Sequence, residues 1–311
     1  MSHDFLWVER YRPKAVSETI LPPKLKKAFQ AVVDSGELQH MLLTGTAGLG
    51  KTTVARAICN ELGLDYIIVN GSDERNIDTL RTKVKQFASS ISLGGGYKVV
   101  ILDEADYLNP NSFQPALRNF MEEFSSNCRF ILTCNHKEKI IAPLHSRCAV
   151  FTFNPTKKEM AQLAGQFLKR AKEILDENDV SYVEKTVADV IIRYAPDWRR
   201  ILNELQRTAQ TGEISDGTVT TTATQFAELY KHLKNKEFGK TRQWVVNNID
   251  SEATSILRGL YDEMRDHVKD ASIPQLVLIL AEYQYKAAFV ADHELNLMAC
   301  MTEIMANVEF K

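Results

Sequence analysis

The stretch GTAGLGKTTVARAICNELG, residues 45–63, decides the fold class. Gly45, Gly50, Lys51 and Thr52 complete the pattern G-x-x-x-x-G-K-[ST]. It follows an apolar run, HMLLTG at 40–45, and opens a helical one, the context that separates a phosphate-binding loop from a chance match. Glycines let backbone N–H groups curl around a phosphate chain. The lysine neutralises the β- and γ-phosphates, and the threonine hydroxyl can ligate Mg²⁺.

Outward from this loop, DYIIVNG (65–71), KVVILDE (98–104), RFILTCN (129–135) and AVFTF (149–153) read as further strands. They alternate with helical patterns, which predicts an α/β domain with a mainly parallel sheet. Phe113, Ala116, Leu117, Phe120, Met121 and Phe124 form one apolar helical stripe. Past residue 154 the β signal stops. Thr156 and Glu159 make a capping box for a long helix. A helix near 183–194 follows, then one capped by Asp197 and closed by Gly212. Residues 211–224 read as a linker, and 225–311 as about five more helices. The expected domains are 1–153 (α/β), 154–215 (small, helical) and 216–311 (all-α).

The chain has 311 residues, 44% hydrophobic and 25% charged, enough to build packed cores. No run is long enough to span a bilayer, so no membrane partner is expected. The start lacks the apolar core of a signal peptide. Cys59, Cys128, Cys134, Cys148 and Cys300 form no CxxC pair. That argues against a zinc module or disulfide framework and for a reducing, cytoplasmic setting. With a net charge of -2, any nucleic-acid surface must be a local patch or one assembled from several subunits.

VVILDE supplies a second half to the phosphate loop. Asp103 is placed to hold magnesium through water, and Glu104 to orient or deprotonate an attacking water. Together they predict nucleotide hydrolysis by in-line attack. The letters DEAD (103–106) suggest a helicase, but the second α/β domain of that family has no counterpart here. Asn135 ends a strand and by position alone reads as a turn residue. Arg147, by position alone, reads as a surface charge. Arg199 and Arg200 lie in the first turn of a helix, where the dipole mildly disfavours cations. That placement hints at a task such as reaching an anion.

With WVERYRP (7–13), NGSDERNID (70–78), SRC (146–148) and DWRR (197–200) added, the chain resembles the AAA+ ATPases, and within them the clamp-loader subunits. NFMEEFSSNC and IIAPLHSRC are most similar to the large subunits of T4-type bacteriophage loaders. The motifs cover residues 5 to about 205; the remainder is similar only as a helical domain of suitable length. Lack of a zinc-binding cysteine cluster points to the phage, archaeal or eukaryotic type.

The resemblance implies an AAA+ P-loop ATPase domain with a parallel sheet, then a helical lid and an all-α collar. The implied activity is ATP hydrolysis, triggered by DNA and clamp, that opens a sliding clamp and loads it onto primer–template DNA for replication. ATP would be held by Gly45, Thr46, Ala47, Gly48, Leu49, Gly50, Lys51, Thr52 and Thr53. Val8, Tyr11, Arg12 and Pro13 would lie against base and sugar. Thr52 and Asp103 would hold Mg²⁺, with Glu104 completing the catalytic pair. Asn135 would be a first sensor, and Arg199 a second, reaching from the lid. Arg147 would be a finger inserted into a neighbouring subunit's ATP site. The implied partners are the sliding clamp, the clamp-loader small subunit, primer–template DNA and other copies of this chain, as a homotetramer within a heteropentamer.

A helix TLRTKVKQFASS, capped by Asp78, is expected to bury Leu80, Val84, Phe87, Ala88 and Ile91 and to leave Arg81, Lys83 and Lys85 in water. Such a basic face is usually only solvated; the resemblance implies that it tracks the DNA backbone, reading phosphate and shape. Arg75, in the turn before it, and Arg118 are further DNA candidates, with Arg118 also a relay to Glu104. The alternative reading is another AAA+ DNA motor, for branch migration or helicase loading. The β-hairpin of the winged helix expected of those motors has no counterpart in the tail. A scaffold that has lost its chemistry would not need Lys51, Thr52, Asp103, Glu104 and Arg147, all of which are present.

Overall fold

A computed structural model describes residues 5–72, 77–90, 96–210, 212–214, 222–248, 253–265 and 267–311. The chain divides into two compact units, Met1–Val219 and Thr220–Lys311.

The first unit begins with a short turn of helix, α1 (Trp7–Arg10), and with α2 (Pro23–Ser35), which has proline in its first turn. There follow β1 (Met41–Gly45), α3 (Lys51–Glu61), β2 (Tyr66–Asn70), α4 (Ile77–Ser89), β3 (Lys98–Asp103), α5 (Phe113–Glu123), β4 (Cys128–Cys134), α6 (Ala142–His145) and β5 (Ala149–Phe153). The five strands form one parallel sheet in the order β2-β3-β4-β1-β5. Strand side chains alternate between the two faces. Leu43, Ile101 and Ile131 pack with Phe29 and Ile58. Leu42, Val100 and Leu132 pack with Leu117 and Phe130. Both faces are covered, which is why these strands read as near-continuous apolar runs. Because β4 lies between β1 and β3, the carboxyl ends of three strands stand side by side, the usual place for a ligand in such a sheet.

The unit continues with α7 (Lys157–Glu177), β6 (Ser181–Tyr182), α8 (Glu184–Tyr194), α9 (Trp198–Ala209) and β7 (Glu213–Ile214). The capping box is formed: Thr156 N donates to Glu159 Oε2 at 2.8 Å, and Glu159 N to Thr156 Oγ1 at 3.3 Å. Leu163, Phe167, Ile174, Val187, Ile201 and Leu205 make a separate core. Gly212 N donates to Ala209 O at 2.9 Å beyond the end of α9. Trp7 is buried in this helical core. Its backbone N–H donates to Gln206 Oε1 at 2.9 Å, and Tyr11 Oη accepts from Asn178 Nδ2 at 2.7 Å. The N-terminal segment is thereby tied to the helices of 157–209.

Two expectations need correcting. The β signal does not stop at 154, because β6 and β7 pair in parallel, Ser181 opposite Glu213. Two-residue strands are too short to show a period. Asp78, expected before the helix, lies within it: α4 starts at Ile77, so Asp78 is its second residue. Ile91 lies outside the described residues.

The second unit holds α10 (Thr222–Lys234), α11 (Phe238–Asn247), α12 (Ala253–Met264), α13 (Ile273–Ala287) and α14 (His293–Asn307), five α-helices among the described residues against an expectation of about five. Leu229, Trp244, Leu260, Leu276, Leu297 and Met301 are part of its core. Helix α10 begins inside the expected linker. Among the described residues, no helix is long and apolar enough to cross a membrane.

Candidate active site

A cavity of about 300 Å³ opens in the first unit at the carboxyl ends of β1, β3 and β4. One wall is the N-terminal segment, with Val8, Tyr11, Arg12 and Pro13. The floor is the glycine loop, with Ala47, Gly48, Gly50, Lys51, Thr52 and Thr53. Asp103, Glu104 and Asn135 come from strand ends, and Phe167, Arg170, Trp198 and Arg199 from α7 and α9.

Gly50 sits in the left-handed region, φ 84°, at the N-cap position just before α3. No side chain caps α3, so its first N–H groups and the positive end of its dipole are available to an anion. Lys51 is 8% exposed. Its Nζ donates to Gly45 O at 2.7 Å, Thr46 O at 2.8 Å and Asn135 Oδ1 at 2.9 Å. Burial pulls the lysine pKa below its ordinary value; the charges of Asp103 and Asp106 oppose this and that of Arg199 adds to it.

Thr52 Oγ1 donates to Asp103 Oδ1 at 2.7 Å. Thr133 Oγ1 donates to the same oxygen and accepts from Glu104 N at 3.2 Å. Glu104 is itself left-handed, φ 54° and ψ 43°, a conformation costing a non-glycine residue about 1–3 kcal/mol and often kept where a site needs it. Asp106 accepts from His136 N at 3.2 Å, which ties the turn after β3 to the residue following Asn135.

On the helical side, Asp197 caps α9 by accepting from Arg200 N at 3.1 Å. Trp198 stacks on Phe167 with ring centroids 4.8 Å apart. Two buried donors of residues that line the cavity, Arg12 Nε and Trp198 Nε1, have no acceptor among the described residues. Orphaned N–H groups, an uncapped helix start and a buried ammonium fit an acceptor-rich, anionic ligand. The hydroxyl of Thr52 and the carboxylate of Asp103, already in contact, form a hard oxygen pair suited to a magnesium ion.

Not every expected residue lines the cavity. Gly45 and Thr46 contribute the carbonyls that hold Lys51, and Leu49 is buried in the core beneath the loop. Arg147 lies elsewhere: its Nε donates to Glu122 Oε1 at 3.1 Å, its Nη2 to the same oxygen, and its Nη1 to Pro143 O at 3.0 Å. Lys83 and Lys85 are exposed on α4. Arg81 belongs to that helix, but its side chain is not described, and Arg75 lies outside the described residues. Arg118 is exposed on α5, and its charge bears on Glu122. Thr133, Asn70, Arg170 and Trp198 line the cavity without having been expected there. Thr133 sits two residues before Asn135 and Trp198 beside Arg199, so both were within reach; Arg170, inside a long helix, carries no local signal.

Residues 41–156 match the family described as the ATPase family associated with various cellular activities (AAA). Over 309 residues the chain is 32% identical to the sliding-clamp-loader large subunit of Enterobacteria phage T4, covering 97% of this chain and 96% of that protein. It is 33% identical over 310 residues to the replication factor C small subunit of Archaeoglobus fulgidus, covering 94% and 95%. Among solved structures, the Thermotoga maritima RuvB Holliday junction branch migration motor aligns with a TM-score of 0.54 and 22% identity. That alignment covers 73% of this chain and 80% of that one, a likeness of fold.

Fold and site together define a P-loop ATPase. The chain belongs to the AAA ATPases, in the clamp-loader family that includes the phage large subunits and the archaeal replication factor C small subunits.

Proposed function

We propose that this chain is the ATPase subunit of a clamp loader, opening a sliding clamp and loading it onto primer–template DNA, with DNA and clamp triggering hydrolysis. In this reading Lys51 neutralises the β- and γ-phosphates, and Thr52 and Asp103 hold Mg²⁺. The ion, when bound, supplies charge neutralisation for the departing diphosphate. Glu104 orients or deprotonates the attacking water, Asn135 positions that water and the γ-phosphate, and Arg199 reaches the nucleotide from the helical side. Residues 154–215 serve as the lid and 216–311 as the collar. Arg75, Arg81, Lys83, Lys85 and Arg118 face DNA phosphates. Four copies assemble with one small subunit.

The observation that carries the reading is the position of Arg147. The other six charged or polar residues assigned to catalysis or metal line one cavity, whereas Arg147 is held on Glu122 away from it. An arginine spared from its own site is suited to a neighbour's, and such fingers are worth about 10³–10⁵ in rate in other NTPases. The RuvB likeness extends to fold alone, so the branch-migration alternative gains nothing from it.

The test is ATPase activity of mixed variants with small subunit, clamp and primer–template DNA present. Lys51→Ala disables a subunit's own site and Arg147→Ala its neighbour's, so each alone should be nearly inactive. Mixed, interfaces pairing an intact site with an intact arginine should restore part of the activity. A mixture that assembles normally and stays inactive would overturn the reading.

A further inference from the structure

We infer that Glu122 is the positioning residue for Arg147, holding its guanidinium in the orientation that meets a phosphate of the neighbouring subunit's nucleotide. This rests on the reading that Arg147 acts across a subunit interface.

A guanidinium offers five N–H donors in a planar fork. Glu122 Oε1 takes the side edge of that fork, accepting from Nε at 3.1 Å and from Nη2. The carbonyl of Pro143 accepts from Nη1 at 3.0 Å. Three donors are thus engaged, which leaves one on Nη1 and one on Nη2. Those two terminal donors suit bidentate recognition of a phosphate. The carboxylate and the carbonyl brace the group from two directions, so less rotational freedom remains to be lost when a neighbour docks.

Placement and charge agree with this. Glu122 is on α5 and Arg147 follows α6, so two separate elements define the orientation. The side chains of Arg147 and Glu122 are 33% and 56% exposed, open to an approaching subunit, and neither lines the cavity of its own chain. The hydrogen bond and charge of Arg147, and the charge of Arg118, hold the Glu122 carboxyl below its usual range, so it is an anion at neutral pH. With Arg118 nearby, the group of three keeps a net positive charge for a phosphate to meet. An exposed ion pair adds little stability, which leaves orientation as its effect.

The experiment sorts Glu122 variants by complementation, using the full chain with small subunit, clamp and primer–template DNA. Glu122→Ala should lower the stimulated kcat by about tenfold or more while ATP affinity stays unchanged, because its own cavity is untouched. Glu122→Gln keeps an acceptor oxygen and should recover much of the rate. Glu122→Asp keeps the charge but withdraws it by one methylene, and should behave like Ala. Mixed with Lys51→Ala, the Glu122→Ala chain should regain activity; mixed with Arg147→Ala it should not, since both then lack a working arginine. Wild-type or faster hydrolysis by Glu122→Ala, or its rescue by Arg147→Ala, would overturn the inference. If Arg147→Ala and Lys51→Ala still complement each other in that case, only the role of Glu122 fails. If they do not, the reading of Arg147 fails first.

Discussion

Asp197 occupies the space that a side chain at position 48 would need: a Cβ built on Gly48 would lie 2.6 Å from the Cα of Asp197. The same aspartate caps α9, so the phosphate loop and the start of the helix bearing Arg199 rest on each other. Gly48 also has φ 80°, where an L side chain costs about 1–2 kcal/mol. Gly48→Ala should therefore lose about tenfold or more in ATP affinity. Titration calorimetry checks this, and an unchanged affinity would mean that the two residues stand apart when nucleotide is bound.

Glu104→Gln should separate binding from chemistry. It removes the proposed base but keeps size and backbone, so hydrolysis should fall about 10²–10⁴-fold with ATP affinity within a few-fold of wild type. Lys51→Ala should instead lose affinity itself. Single-turnover hydrolysis beside equilibrium binding distinguishes the two patterns.

Asp106 is 6% exposed; one carboxylate oxygen holds His136 N and the other has no partner among the described residues. Asp106→Ala leaves that N–H unpaired, at about 1–3 kcal/mol, and frees the loop that carries Asn135. The expected signature is a larger fall in kcat than in ATP affinity, accompanied by a lower urea midpoint. Equal losses in both kinetic quantities would contradict it.

Acid should weaken the sheet through His40. Its Nδ1 accepts from Phe130 N at 3.1 Å. Burial, then the charge of Arg129, lowers its pKa from 6.5 to about 4. The unfolded chain takes up this proton near the ordinary histidine pKa and the folded chain only near the lowered one. The contribution is therefore fully present above the first value and lost as pH falls toward the second. Allowing for the ring's partial exposure, the effect is about 1–2 kcal/mol. His40→Asn, an acceptor that does not titrate, should flatten that part of the curve in urea melts at pH 7.5 and pH 5.

Neutralising a lysine that meets a DNA phosphate should change salt dependence more than sequence preference. Lys83→Ala and Lys85→Ala should each weaken DNA binding uniformly across sequences and reduce the slope of log Kd against log salt by about 1. Binding measured on two unrelated primer–templates at several salt concentrations tests this. An unchanged slope would remove that lysine from the DNA surface.

Much of the first unit is legible in the sequence because its signals are local. The glycine loop, the apolar run ending in Asp103 and Glu104, and the cap of α9 by Asp197 are each written within a few consecutive residues. The capping box at Thr156 is equally local, and all of these appear as expected. The strands β6 and β7 and the start of α4 escape such a reading because two residues carry no period and Ile77, before Asp78, gives no signal.

What the sequence determined by itself is the chemistry available: a phosphate loop, a carboxylate pair at a strand end, and helices with apolar faces. Only the tertiary structure decided which groups meet. Inserting β4 between β1 and β3 brings Asn135 onto Lys51, 84 residues away, and Thr133 onto Asp103. Gln114, fully buried, donates to Leu108 O and Lys139 O and accepts from Ile141 N, a junction that a sequence position inside an amphipathic helix does not announce. Periodicity and capping depend on neighbours within a turn or two, whereas strand order depends on how the whole chain buries its apolar faces. That is why the parts could be read along the chain, and their encounters only in the fold.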